Sequence, residues 1–435
     1  MDTNGPIVTA PADPADRSGR PGGVHPLTPA VDAPLAGGVG LAVAAITLTL
    51  FRRLDPRLLV WPDGNDVWFE GDLPTVFRNM VNRFSDQSRN GDHPLFPLLG
   101  TLPVNVLHHL GLSNTAAVSL VLTAVAGLWG ALLYLTLRLS GLRPLDAVVY
   151  AAAGTCSSAA LFWLPVPEVA GMASITMLAA LAAAALADRG RLPPAAELFV
   201  NALTLSVTVT HWMAGLLLAF FRHPARRALQ LSVNAFVVVV LLWSAQRLVV
   251  PTADFFIGYV GHGKFILRPE SGGPLHVKAT LVVQSAVMPE PVVRHEPKWG
   301  EVMTIQHAGL TGGGWVADAA RAAWVGMLLL GAAGLRQASR TLRFVTLFTL
   351  AGQLALHSVF GEESFLYSLS TLPLLLVIAA HGARTRARPL ALLLTVIFIV
   401  AAGWTNVSRF EQARGFMERR HPAAPPALAD LVRPD

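Results

Sequence analysis

The chain has 435 residues, of which 53% are hydrophobic and only 14% are charged. A soluble domain could not bury that much apolar surface in one core, so the composition predicts an all-α, multi-pass membrane protein. The net charge of +6 comes from arginines in short clusters between apolar runs, which excludes a continuous basic face and predicts no nucleic-acid partner. Cys156 is the single cysteine, so no intramolecular disulfide can form.

The N-terminal region divides into a polar tail and a first apolar run. Residues 1–34 are rich in Pro, Gly, Ala and Asp, which predicts a disordered tail. The run 35–51 lacks a basic segment before it and a small-residue cleavage site after it. We therefore expect it to remain as a membrane anchor rather than to be removed as a signal peptide.

Further apolar runs have the length of about 20 residues that a hydrocarbon core of roughly 30 Å requires. They lie at 115–138, 146–163, 166–187, 228–246, 316–335, 344–360, 366–382 and 390–405. The run 194–221 is interrupted at "TVTHW", where two short spans could meet, and one tilted span is the alternative. The first count predicts a transmembrane domain of about 11 spans over 35–405, followed by a C-terminal tail at 406–435.

Basic loops predict the orientation, because Lys and Arg in short loops stay on the cytoplasmic side. Five short loops are basic: "RLSGLR", "DRGR", "RHPARR", "RQASRTLR" and "ARTRAR". The segments that alternate with them are then external, namely 52–114, 164–167, 247–315 and 361–365. The two longest, 52–114 and 247–315, are the expected external loops.

The first external loop contains a helical pattern. Apolar residues recur with helical spacing at Leu73, Val76, Phe77, Met80, Val81 and Phe84. The opposite face carries Thr75, Arg78, Asn79, Asn82 and Arg83, so we expect a helix that lies in the membrane interface. A second interfacial helix is expected over 95–110, interrupted by prolines.

Four stretches carry a family resemblance: "WFEGDLPTVF", "HPLFPLL", "FWLPVPE" and "FGEESFLYSLSTLPLLL". With the predicted topology, they resemble the GT-C superfamily of polytopic glycosyltransferases, including protein mannosyltransferases and lipid A aminoarabinose transferases. The resemblance implies an inverting enzyme that transfers a sugar from a polyprenyl-phosphate-linked donor to an acceptor hydroxyl. It also implies a GT-C-like fold in a bacterial-type cell membrane, with the active site facing outward under the loop 247–315.

The resemblance leaves several partners open. The acceptor is a glycan, a lipid or a protein, and membrane lipids are expected around the bundle. No cofactor is certain, although a divalent metal is compatible with this chemistry, and no HxxH or HExxH pattern predicts a protein-only metal site. The first loop lacks a paired Asp-Glu, and the His-Pro lacks the second proline common in these relatives.

Sugar transfer needs a base for the acceptor hydroxyl and groups that hold the departing phosphate. Asp72, which precedes the first interfacial helix, is the predicted catalytic base, and a plain helix cap is the equally weighted alternative. Asp66 and Glu70 are the next choices. The predicted substrate-binding residues are His93, Glu168, Lys264, Arg268, Glu362 and Glu363. The alternatives are loop packing for His93, exposed helix-start carboxylates for the three glutamates and a solvated loop for the two cations.

Two other functions remain open at this stage. A transporter or flippase for a lipid or polyol would use "TVTHW" as a broken helix beside a substrate path. A non-catalytic scaffold in envelope assembly is the third reading, which solvent-facing loop carboxylates would favour. Nearly all carboxylates lie at the ends of predicted spans rather than at mid-membrane, which favours the transferase over the transporter.

Overall fold

The computed structural model describes residues 26–60, 66–257, 266, 279–296, 300–306, 308–361, 364–416 and 419. The chain is mostly helical, at 73%, and has one small two-stranded sheet. Within the described ranges, seven helices are long and apolar enough to cross a membrane. These seven candidates are Pro29–Phe51, Asn114–Leu139, Ala170–Ala187, Ala225–Gln246, Trp315–Gln337, Ser364–Arg384 and Arg388–Arg414.

The helices follow the chain in this order. The first long loop, 52–114, contains α2 to α5, between the long helices α1 and α6. The sixteen ranges are α1 Pro29–Phe51, α2 Arg57–Val60, α3 Leu73–Val81, α4 Phe96–Leu99, α5 Thr101–His109, α6 Asn114–Leu139, α7 Pro144–Cys156, α8 Ser158–Trp163, α9 Ala170–Ala187, α10 Pro194–Val207, α11 Trp212–Arg222, α12 Ala225–Gln246, α13 Trp315–Gly334, α14 Arg340–His357, α15 Ser368–Ala380 and α16 Arg388–Arg414. The predicted count of about 11 spans stays a prediction, because α7, α8, α10 and α11 are short and α14 is not among the seven candidates.

Helix α1 begins at Pro29, inside the segment 1–34 that was predicted to be disordered. Proline suits the first helical turn, and the Asp32 carboxylate accepts a hydrogen bond from the Thr28 backbone N–H at 2.7 Å. The same carboxylate pairs with Arg138 of α6 at 2.6 Å. A Cβ at Gly40 would lie 2.7 Å from the Gly127 carbonyl oxygen, so small residues let α1 and α6 pack closely.

Helix α16 continues to Arg414, so part of the predicted tail 406–435 is helical. Its extension is held by buried polar contacts. Asn406 accepts a hydrogen bond from the Met288 backbone N–H at 2.8 Å and donates to the Ala286 carbonyl oxygen at 2.8 Å. A buried amide group needs hydrogen-bond partners. Asn406 finds them on the backbone of the long loop 247–315, and the helix must extend past residue 405 to reach them.

Helices α10 and α11 form an antiparallel hairpin, which is the two-segment arrangement rather than one tilted span. The Asn201 side chain accepts a hydrogen bond from Trp212 at 2.6 Å and donates to the Gly215 carbonyl oxygen at 3.3 Å. At the open end, Glu197 pairs with Arg222 at 2.6 Å. With 14 and 11 residues, the helices are about 21 Å and 16 Å long, shorter than a full hydrocarbon core of roughly 30 Å.

Most of the predicted apolar stripe on α3 is confirmed, because Leu73, Val76, Phe77 and Met80 are buried. Two parts of the pattern are wrong. The helix ends at Val81 because Asn82 is extended, so Phe84 lies beyond it and is 61% exposed. Asn79, expected on the polar surface, is buried because the following loop folds over it and Ser85 donates a hydrogen bond to its side chain at 2.9 Å. The predicted second helix, 95–110, is divided at Gly100 into α4 and α5.

The long loop 247–315 contains the only strands among the described residues. Strand β1, Val292–Glu296, pairs antiparallel with β2, Gly300–Thr304. Strand β2 also contacts the first long loop, where the Met303 backbone N–H donates to the Val67 carbonyl oxygen at 3.0 Å. The all-α prediction therefore missed a small hairpin that joins the two long loops.

Candidate functional site

Three of the four stretches that carry the family resemblance meet in one aromatic cluster: "WFEGDLPTVF", "FWLPVPE" and "FGEESFLYSLSTLPLLL". Trp68 of the first loop donates its indole N–H to the Phe162 carbonyl oxygen at 3.3 Å. Trp163 donates in the same way to the Phe365 carbonyl oxygen at 2.9 Å. Neighbouring rings in this cluster have centroids 5.5–5.9 Å apart and belong to Trp68, Phe69, Phe162, Trp163, Phe365 and Phe410. The aromatic cluster fixes the first loop against α8, the turn that precedes α15, and α16.

A cavity of about 130 Å³ lies beside this cluster. Its walls come from the first loop, the start of α9, the turn of the α10–α11 hairpin, the end of α14 and the start of α15. Its polar lining residues are Arg89, Asp92, His93, Glu168, Thr208, Thr210, His211, Gln353, His357, Tyr367 and Ser370. Of the predicted site residues, His93 and Glu168 line this cavity.

Arg89 joins the predicted base to the cavity. Its Nη2 atom lies 2.7 Å from Oδ2 of Asp72 and 3.5 Å from Oε1 of Glu168. Burial disfavours the charged guanidinium, but the carboxylates of Glu168, Asp72 and Asp92 outweigh burial and raise the pKa of Arg89. Arg89 is therefore a fixed positive charge shared by carboxylates from two separate segments.

Asp72 occupies the N-cap position of α3, yet its side chain makes no capping hydrogen bond. The carboxylate instead pairs with Arg89, and 33% of the side chain is exposed. The plain capping role that the sequence left open is therefore not supported by a contact. Asp72 lies at the edge of the site, since it is not among the cavity-lining residues.

Glu168 lies two residues before the first residue of α9 and is only 6% exposed. It is therefore not the exposed helix-start carboxylate of the alternative reading. Burial raises the pKa of Glu168, and the Arg89 charge only partly opposes that effect. Its Oε2 atom has no hydrogen-bond partner in the described part of the chain, so one carboxylate oxygen is available to a ligand.

His93 is held at the cavity by the hairpin turn. Its Nδ1 atom donates to the Val207 carbonyl oxygen at 2.8 Å and lies 3.2 Å from the Thr208 hydroxyl. Burial and the nearby Arg89 charge lower the pKa of His93 to about 3, so the ring is neutral near pH 7. A neutral ring that donates from Nδ1 keeps Nε2 as a hydrogen-bond acceptor.

The runners-up Asp66 and Glu70 lie on an unusual loop backbone. Their φ angles are 64° and 58°, and that of Phe69 is 50°, a left-handed region that non-glycine residues rarely adopt. Glu70 lies 3.7 Å from Arg294 of β1. Like Asp72, neither carboxylate lines the cavity, but Asp72 pairs at 2.7 Å with Arg89, which does line it, so the geometry favours Asp72.

Four predicted binding residues, Lys264, Arg268, Glu362 and Glu363, lie outside the described residues. Nearby described residues locate the long loop beside the cavity. Ile266 forms a bridge with Phe360, which lines the cavity. The Gln306 side chain exchanges two hydrogen bonds with Ser364, at 3.0 Å and 3.3 Å.

Several cavity residues were not predicted, and one of them is Arg89. His357 of α14 stacks on Tyr367 with centroids 3.9 Å apart and shares a hydrogen bond with Gln353 at 3.1 Å. Gln353 and His357 lie four residues apart in a mostly apolar helix. This spacing could have pointed to the cavity from the sequence, because an ionisable group such as His357 at membrane depth is costly. His211, within the "TVTHW" interruption, also lines the cavity.

The seven long apolar helices support the class of multi-pass membrane proteins for this chain. No family model, no curated protein and no solved structure matches this chain. Within the described ranges, no group of three His, Cys, Asp or Glu residues could hold a metal ion.

Proposed function

We propose that this protein is a GT-C-type membrane glycosyltransferase. It transfers a sugar from a polyprenyl-phosphate-linked donor to an acceptor hydroxyl on the outer face of a bacterial-type cell membrane. One observation carries the proposal: Arg89 pairs both with Asp72 of the first long loop and with Glu168 at the start of the predicted span 166–187, and Arg89 and Glu168 line one cavity. The half-buried Asp72 can then accept a proton from an acceptor hydroxyl, next to a cavity whose polar side chains can bind a sugar by hydrogen bonds.

Asp72 acts as the general base in this proposal. It accepts the proton of the acceptor hydroxyl while the acceptor oxygen forms a bond to the anomeric carbon. The bond between that carbon and the phosphate oxygen breaks, and its electron pair leaves with the polyprenyl phosphate. A single displacement inverts the anomeric configuration. Arg89 positions Asp72 and stabilises its negative charge through the 2.7 Å ion pair.

The cavity residues bind the sugar in this proposal. The unpartnered Oε2 of Glu168 and the free Nε2 of His93 accept hydrogen bonds from sugar hydroxyls. Glu362 and Glu363 are proposed to complete this wall, since they directly precede Ser364, in the short turn Ser364–Tyr367 that leads into α15. Lys264 and Arg268 are proposed to hold the departing phosphate, and they flank Ile266, which bridges to the cavity wall.

A transporter or flippase is the second candidate, and one observation favours it. The turn between α10 and α11 interrupts a short helical pair and lines the cavity, as discontinuous helices do in transporters. The scaffold reading would be favoured by loop carboxylates that point into solvent, and the buried Glu168 does not do so.

Reconstituted protein distinguishes the two candidates. Liposomes containing the purified chain are given a panel of polyprenyl-phosphate sugars and candidate acceptors, and release of polyprenyl phosphate is measured. A transferase releases it in step with a glycosylated product. Movement of intact donor between leaflets, with no cleavage by the active protein, would contradict the proposal and favour the flippase.

A further inference from the structure

A second concave surface lies between α5 and the segment after α12. It encloses about 380 Å³ and is lined mostly by apolar side chains. Its apolar walls are Leu102, Val106, Leu110, Val249 and Val250. Val106 is 51% exposed and Leu110 is 73% exposed, so the groove opens to the surroundings of the bundle. We call it the α5 groove.

Among the described residues, one cation of the α5 groove has no anionic partner. Arg83 lines the groove, and its guanidinium lies over the Phe84 ring at 4.7 Å. Among the described residues, this guanidinium makes no ion pair and no hydrogen bond. The groove thus combines a mostly apolar lining with one positive charge that has no anionic partner in the described part of the chain.

His109 and Asn105 contribute the other polar atoms of the rim. His109 uses Nδ1 to donate to the Asn105 carbonyl oxygen at 2.8 Å, and the Asn105 amide donates to the Met80 and Thr101 carbonyl oxygens. None of the described residues that line the groove is an aspartate or a glutamate. The rim charge is therefore complementary to an anion, whereas the walls are complementary to a hydrocarbon chain.

We propose that the α5 groove binds an anionic phospholipid, with one acyl chain along its apolar walls and the phosphate on Arg83. Arginine beside a lipid-facing surface attracts anionic head groups, and its stem and the Phe84 ring suit the membrane interface. This inference is independent of sugar transfer.

The geometry favours a bilayer phospholipid over the sugar donor. Asp72 precedes α3 and Arg83 follows it, and this helix of nine residues is about 14 Å long. In the donor, the phosphate is one oxygen atom away from the anomeric carbon that reacts at Asp72. A phosphate on Arg83 would therefore leave the sugar too far from the proposed base.

Lipid binding to the purified, delipidated full chain tests the proposal by native mass spectrometry. The probes are phosphatidylglycerol and phosphatidylcholine with identical acyl chains. We expect the wild type to prefer phosphatidylglycerol and Arg83→Gln to lower that affinity about five-fold. Arg78→Gln is the matched control, because Arg78 is an exposed arginine of α3 outside the groove lining, and it should bind as the wild type does.

A second variant keeps the test decisive if Arg83→Gln fails to fold. Val106→Trp fills the groove at an exposed position, and we expect it to lower binding of both lipids. Equal binding of the two lipids by the wild type, or no loss in either variant, would overturn the proposal. Displacement of phosphatidylglycerol by equimolar polyprenyl phosphate would also overturn it and assign the groove to the donor.

Discussion

Oε1 of the buried Glu168 lies 3.5 Å from Nη2 of Arg89. This pair connects the segment before α9 to the first long loop, and Arg89 extends the connection to Asp72. Removing one member of a buried ion pair leaves the other charge without compensation, which is costly. The integrity of the site should therefore depend on Arg89 more than on any exposed arginine nearby.

Arg89→Gln should lower the free energy of unfolding by roughly 3 kcal/mol, because Glu168 and Asp72 both lose their partner. The measurement is thermal unfolding in detergent, and the exposed Arg78→Gln is the control, with an effect within about 0.5 kcal/mol. Adding Glu168→Gln to Arg89→Gln should recover part of the loss, since no buried charge then remains. Equal melting temperatures for Arg89→Gln and Arg78→Gln would show that the pair has no structural role.

His93 should make stability depend on pH. Because the pKa of His93 is lowered to about 3, the unfolded chain takes up a proton there more readily than the folded protein does. This contribution to stability is present above the ordinary pKa of 6.5 and is lost as the pH falls from 6.5 towards 3. His93→Asn can still donate to the Val207 carbonyl oxygen but cannot titrate, so its melting temperature should fall less in this range.

The matched control for that experiment is His109→Asn, which changes an exposed histidine. It should follow the wild-type pH profile. If His93→Asn also follows the wild-type profile throughout, His93 is not held neutral by burial.

Phe77 tests the packing of α3. Phe77→Ala should destabilise the protein by about 3–5 kcal/mol, because the side chain is 2% exposed and its removal leaves a cavity. Arg78→Ala, on the exposed face of the same helix, should change stability by less than about 0.5 kcal/mol. The measurement is the melting temperature of each purified variant. Similar values for the two variants would mean that this face of α3 is not packed as described.

Local sequence patterns predicted much of the fold. The run 115–138 corresponds closely to α6, Asn114–Leu139, because the length of an apolar run is a local property. The interruption at "TVTHW" likewise marks the turn between α10 and α11, since polar residues there replace the apolar pattern.

The remaining features depend on contacts between distant segments. Arg89 was not predicted because its role requires Asp72 and Glu168 to meet, and no local pattern records that. Asn79 was assigned to the polar face because helical spacing alone does not show that the next loop covers it. The β1–β2 hairpin was missed because its short strands lie in a polar loop without a clear alternating pattern.

Two introduced cysteines test the predicted orientation in a Cys156→Ser background. Val293→Cys on β1 should react with an impermeant thiol reagent in intact cells, because the long loop is predicted to be external. Gln337→Cys, in the exposed part of the basic loop after α13, should react only after permeabilisation. Labelling of Gln337→Cys alone in intact cells would invert the orientation and move the cavity to the cytoplasmic side.

The most direct test of the proposed function is the turnover of Asp72→Asn with a polyprenyl-phosphate sugar. Asparagine has nearly the same shape but cannot accept the proton of the acceptor hydroxyl. We predict that the variant still binds the donor and that turnover falls by roughly 10²-fold or more, whereas Asp86→Asn, an exposed change in the same loop, keeps wild-type turnover. Wild-type turnover by Asp72→Asn would contradict the account.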